Sequence, residues 1–269
     1  MNILIDIFVW KSFLSGLFLS IIFTLLGIFI INKRLSFLSD GLAHASLTGL
    51  ALGALLNVSP FFIATLTSII FSMLIRSIQK KTKIHTDTLI GIIFTFGFSL
   101  GLILLLFSKK YQRYVLNYLL GDILSLGTLD FLIVVIIFLL IIYLLLKFKN
   151  ILFLWLIDED YLKIVSKYHN LLEIIFYIFL ASIIILGIKF VGVILVSALL
   201  IIPPATARLI SKSFYDYLIK SLILGILGFV LGFFISFIIN LPTGPTIVIL
   251  HSLIFFLIFL FVSGFRYNK

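Results

Sequence analysis

A chain of 269 residues that is 63% hydrophobic and only 11% charged has too little polar material to cover a soluble core. Its net charge of +10 is carried by short basic clusters between apolar runs, the pattern of membrane loops rather than of a nucleic-acid-binding face. Cysteine is absent, which excludes disulfides and thiolate metal ligands.

The mean hydropathy is +1.35. The apolar runs are about 20 residues long, the length of membrane-crossing helices rather than of barrel strands. No soluble domain, long linker or low-complexity tail interrupts them. The reading is all-α: residues 1–269 form a single polytopic helical bundle in the membrane. Residues 1–10 carry Asp6 but no Lys or Arg, so they lack the basic start of a signal peptide.

Nine apolar segments follow in chain order: 12–32, 41–57, 60–78, 88–107, 130–147, 171–190, 191–208, 221–239 and 245–264. With the N-terminus outside and the C-terminus cytoplasmic, only five of the twenty basic residues lie outside: Lys11, Lys109, Lys110, Arg113 and Lys189. The other fifteen face the cytoplasm, as the positive-inside rule requires. Residues 108–129 decide the count. The stretch 114–126 is apolar enough for a re-entrant or surface helix, but 114–120 is too short to cross alone. Nine spans are therefore expected, with eight as the alternative.

The second segment carries the chemistry. Asp40 and His44 are four residues apart, which on a helix stacks them on one face. An acid at the centre of a span costs about 2.5–3.5 kcal/mol on insertion scales, so such a pair points to a passage rather than to lipid. Carboxylate and imidazole together suit Zn, Mn or Fe(II), and two ligands make a transient stop rather than a tight site. The structural alternative is that Asp40 caps the helix and His44 bonds a neighbouring helix. The segment is also rich in small residues, among them Gly41, Gly49 and Gly53, so it is expected at the centre of the bundle. Gly97 with Gly101, and Gly228 with Gly232, repeat that spacing. No other acid–histidine pair is expected inside the spans.

Further along, Asp158, Glu159 and Asp160 open a cytoplasmic segment in which Tyr161, Ile164, Val165 and Tyr168 recur at helical spacing. The acidic turn suits a helix N-terminus. A polar face of mixed charge favours a docking helix for a cytoplasmic partner over a helix lying on lipid. Pro203 and Pro204 remove two amide donors and free the carbonyls of Leu199 and Leu200. They mark a helix break lining a cavity or a structural kink near a helix end. His85 and Asp87 are read as solvated and His251 as a packing histidine.

No Walker A loop, metalloprotease helix or nucleophile elbow is present, so the chain is not read as an enzyme and binds no cofactor of its own. A scaffold without transport is the remaining class.

Four separated motifs then carry a family likeness. Arg34-Leu-Ser-Phe-Leu-Ser-Asp40-Gly-Leu-Ala-His44-Ala-Ser-Leu-Thr-Gly49, Gly121-Asp-Ile-Leu124, Lys189-Phe-Val-Gly192 through Pro203-Pro-Ala-Thr-Ala-Arg208, and Pro242-Thr-Gly-Pro245 occur in order over nearly the whole chain. Together they resemble the membrane permease of bacterial ABC-type zinc and manganese importers, in particular the high-affinity zinc permease. Pro204 departs from the family pattern, which has a small residue there.

The resemblance implies a homodimeric permease, multi-pass in the bacterial plasma (inner) membrane. Its partners would be cytoplasmic ATP-binding subunits, which hold the ATP, and an extracytoplasmic metal-binding receptor. Zn²⁺ would be the substrate, with Mn²⁺, Fe²⁺ or a chelate such as a siderophore or cobalamin as alternatives. Asp40 and His44 match the family's metal-pathway positions, and the segment from Asp158 to Tyr168 its coupling region.

Overall fold

A computed structural model describes residues 7–107, 121 and 123–267. The regular structure among the described residues is all helical, with no strand. In chain order the helices are α1 (Ile7–Asn32), α2 (Leu38–Leu55), α3 (Pro60–Lys81), α4 (Thr86–Leu106), α5 (Thr128–Lys147), α6 (Lys149–Ile157), α7 (Glu159–Val165), α8 (His169–Val191), α9 (Val193–Ile210), α10 (Phe214–Ile239) and α11 (Thr243–Tyr267). A 3-10 turn, Ile123–Ser125, precedes α5. The excursion expected over residues 114–126 falls mostly outside the described residues.

Eight of these helices are long and apolar enough to cross a membrane. The expected segment that is not among them is α2. Between its leucines stand Gly, Ala, Ser and Thr, together with Asp40 and His44, which lower its hydropathy. Fourteen of its eighteen residues are buried.

The helices gather into two compact units, each drawn from separate stretches of chain. One unit holds α2, α3, α4, α6, α7 and α8. Within it α3 and α4 grip α2 through the glycine pairs. A Cβ on Gly49 would lie 2.6 Å from the Ala64 Cα, and one on Gly101 would lie 2.7 Å from the Thr48 backbone nitrogen. These contacts are backbone against backbone, the approach that small residues permit in lipid. Thr48 then donates its hydroxyl to the Gly97 carbonyl at 2.6 Å, joining α2 to α4. At the end of α8, Gly192 adopts φ 83° and Gly121, at φ 57°, packs directly on its backbone. Neither the conformation nor the space admits a side chain at Gly121.

The other unit holds α1, α5, α10, α11 and nearly all of α9. Gly228 and Gly232 of α10 lie against His251 and Ile247 of α11. His251 is buried, and its Nδ1 lies 3.0 Å from the Ile247 carbonyl, an interaction within its own helix. α9 runs through Pro203 and Pro204 without interruption. The helix break expected there is thus a continuous helix with two missing amide donors. The Leu200 carbonyl is turned onto Gly27 of α1, where a Cβ would be 1.9 Å from that oxygen. The absence of a side chain at Gly27 lets this carbonyl approach the α1 backbone.

Candidate metal-pathway site

Asp40 lies in the first turn of α2, and His44 follows one turn later. The cap position belongs to Phe37, which makes no side-chain capping bond. Asp40 is therefore not the N-cap; its carboxylate sits where the helix dipole favours negative charge. The His44 ring stands edge-on to two phenylalanines of α4. Its centroid is 4.9 Å from Phe94 and 5.4 Å from Phe98, with interplanar angles of 82° and 81°. The two phenyl rings are themselves parallel, 6.0 Å apart. This slot fixes the orientation of the imidazole. Its Nδ1 is buried with no hydrogen-bond partner, an arrangement that costs free energy in a purely structural histidine.

Among the described residues no group of three or more His, Cys, Asp or Glu comes together. Asp40 and His44 place one carboxylate and one imidazole a turn apart on α2.

The acidic segment forms two short helices. Asp158 caps α7, its carboxylate accepting the Tyr161 amide hydrogen at 2.8 Å. Lys163 reaches Glu159 at 3.2 Å and Asp160 at 3.0 Å, and the hydrogen bond it donates to the Asp160 carboxylate raises its ammonium above the usual lysine range. Leu162 is buried, while Tyr161, Ile164, Val165 and Tyr168 are exposed, Ile164 at 84%. The apolar face expected from their spacing is present and uncovered. One point differs: α7 ends at Val165, because Ser166 turns extended, so Tyr168 belongs to the turn before α8. Pro203 and Pro204 lie in the other unit.

Sequence reasoning missed a second acid–histidine pair. His169 and Glu173 are four residues apart at the start of α8, and this helix is apolar enough to span. The apolar segment read from the sequence began at 171, which left His169 outside it. Glu173 is nevertheless one of only two glutamates, embedded in an apolar run, and that was the available signal. Its carboxylate pairs with Arg76 at 2.9 Å and with Lys80, both on α3. Phe94 and Phe98 were also missed; in a chain with thirty phenylalanines nothing marks them.

Comparison with known proteins agrees with this architecture. The High-affinity zinc uptake system membrane protein ZnuB of Buchnera aphidicola subsp. Baizongia pistaciae is 36% identical over 250 residues, 91% of this chain and 94% of that protein. The Manganese transport system membrane protein MntC of Listeria monocytogenes is 28% identical over 264 residues, 97% of this chain and 94% of that protein. Among solved structures, PsaBC from Streptococcus pneumoniae in complex with Fab matches with a TM-score of 0.81 at 28% identity, over 96% of this chain and 93% of that one. The family model described as the ABC 3 transport family matches residues 6–262. This chain belongs to the ABC 3 transport family: it is a multi-pass membrane permease subunit of a metal transporter, not an enzyme.

Proposed function

We propose that this permease carries Zn²⁺ inward across the bacterial plasma membrane by alternating access, driven by ATP hydrolysis on separate cytoplasmic subunits. One observation carries the reading: the Asp40–His44 pair on the most enclosed helix of its unit, with the imidazole held in a phenylalanine slot and one ring nitrogen without a partner. An oxygen and a nitrogen donor on one helix face suit a borderline divalent cation. Two donors bind weakly enough for the ion to leave, as conduction requires. The zinc uptake relative supports zinc as the cargo.

The manganese transport relative favours Mn²⁺ as the second reading, since carboxylate and imidazole accept both ions. An importer of Fe²⁺ uses the same donors. A chelate importer fits less well, because a bulky complex with its own ligands needs a wide pathway and no ligating pair.

In this proposal the N-terminus is outside and the C-terminus cytoplasmic, following the basic residues. The exposed apolar face of α7 then meets the ATP-binding subunit, and an extracytoplasmic receptor delivers the ion. A second copy of the permease completes the pathway. The long apolar surfaces of α5 and α11 leave ample area for that copy and for lipid, since only 11% of the most apolar stretch of each is buried in the chain itself. The test is uptake of radiolabelled Zn²⁺ into vesicles holding the reconstituted complex, with unlabelled Zn²⁺ or Mn²⁺ as competitor. ATP-dependent uptake suppressed best by Zn²⁺ is the expected result. Stronger suppression by Mn²⁺ selects the second reading, and absence of metal uptake overturns both.

A further inference from the structure

We infer that Glu173 is a positioning residue that ties the docking helix α7 to α3, and through α3 to the helix carrying Asp40 and His44. The inference rests on the permease reading above for the role of α7. The observation is a polar seam between two helices that are otherwise apolar. On α8, His169, Glu173 and Tyr177 recur every fourth residue and share one face. On α3, Ser72, Arg76 and Lys80 do the same in the opposite direction. The two stripes meet in order. Ser72 donates to the Tyr177 carbonyl at 3.1 Å, Arg76 pairs with Glu173 at 2.9 Å, and Lys80 joins both Glu173 and the Asn170 side chain. The Tyr177 hydroxyl donates to Gln79, which donates in turn to Thr86 at the start of α4. At the other end of the seam, His169 Nε2 lies 3.5 Å from Glu159 of α7, beyond a hydrogen bond and an ion pair only when the imidazole carries a proton.

Stability alone does not account for this seam. The side chains of Arg76 and Glu173 are only 11% and 13% exposed. The cost of desolvating both charges offsets much of their attraction, so a buried ion pair is weak evidence for stability by itself. A charge-paired seam adds a fixed register, so that α8 and α3 move together. α3 in turn bears on α2, because Gly49 and Gly53 of α2 rest on the Ala64 and Pro60 backbones. Movement imposed on α7 is thereby passed to the Asp40–His44 helix through rigid elements.

The experiment uses the complete complex with its ATP-binding subunits. Hydrogen exchange is followed along the chain as ATP binds, and ions transported per ATP are counted in vesicles. In the wild type, ATP should slow exchange in both α7 and residues 72–81. Glu173→Gln, which keeps size and removes charge, should keep the α7 response and lose that of residues 72–81. Transport per ATP should fall by about tenfold, the scale of a typical coupling between sites. Glu173→Asp, which keeps the charge facing both Arg76 and Lys80, should retain more of both readouts than Glu173→Gln. If Glu173→Gln does not assemble, His169→Leu leaves the ion pair intact and cuts only the link to Glu159, with the same loss expected. Unchanged exchange at 72–81 and an unchanged ion-to-ATP ratio in the assembled variant would overturn the inference. The exchange readout involves no metal. A wild-type complex that shows the linked response but moves no metal would therefore refute the cargo and leave the seam standing.

Discussion

The imidazole of His44 on α2 stands edge-on to Phe94 on α4, with centroids 4.9 Å apart and planes at 82°. Phe98 repeats the contact one turn along α4. An edge-to-face contact contributes about 0.5–1.5 kcal/mol beyond area burial, enough to hold one ring orientation. Asp40→Ala and His44→Ala should each abolish metal uptake while the complex still assembles, because they delete the donors and not the packing glycines. Vesicle uptake beside size-exclusion profiles checks this, and unimpaired uptake in both variants would remove the pair from the pathway.

Phe94→Leu and Phe98→Leu should leave the donors present but loosen the imidazole. Losing one such contact corresponds to a change of about two- to tenfold in apparent affinity. The expected result is a rise of that size in the KM for metal uptake, with a smaller change in maximal rate. A change confined to maximal rate would mean that the phenyl rings act on movement and not on His44.

Gly49→Val and Gly91→Ala should behave oppositely. A Cβ at Gly49 meets the Ala64 Cα at 2.6 Å, whereas one at Gly91 on α4 meets nothing within 4 Å. The first should destabilise by about 1–3 kcal/mol through overpacking, and the second should be neutral or slightly stabilising through helix propensity. Thermal unfolding of the solubilised protein distinguishes them.

Asp158→Ala removes the cap of α7 and should cost about 1 kcal/mol locally. The expected sign is faster amide exchange in residues 159–165 with little change in global melting, since this helix is short and only Leu162 of it is buried.

Ile164→Asp should leave folding intact, because this side chain is 84% exposed, yet weaken association with the ATP-binding subunits by tenfold or more, about 1.4 kcal/mol. Co-purification and binding isotherms provide the measurement. Undiminished association would move the docking surface away from α7.

The helical membrane class was legible at once, since apolar runs of the right length have few other solutions. Asp40 and His44 stood out for the same reason: polar groups are rare enough in such a chain to be noticed. The seam built on Glu173 was less legible. In the sequence Arg76 and Lys80 are two of the fifteen basic residues assigned to the cytoplasmic side, and only folding brings them to a carboxylate nearly a hundred residues away. Pro203 and Pro204 were read as a break or kink because local chemistry removes two donors; the helix nevertheless continues through them, with the Leu200 carbonyl close to Gly27 of α1.

Local spacing and composition determined which segments coil, which of them are thin, and which helix face carries an acid beside an imidazole, because these depend on residues within a turn or two. Tertiary structure alone decided what surrounds that face, where the freed Leu200 carbonyl goes, and which cations meet Glu173. Those are contacts between distant stretches of chain, and in a sequence so uniformly apolar many helix pairings satisfy the same pattern. Close backbone approach at a few glycines selects among them.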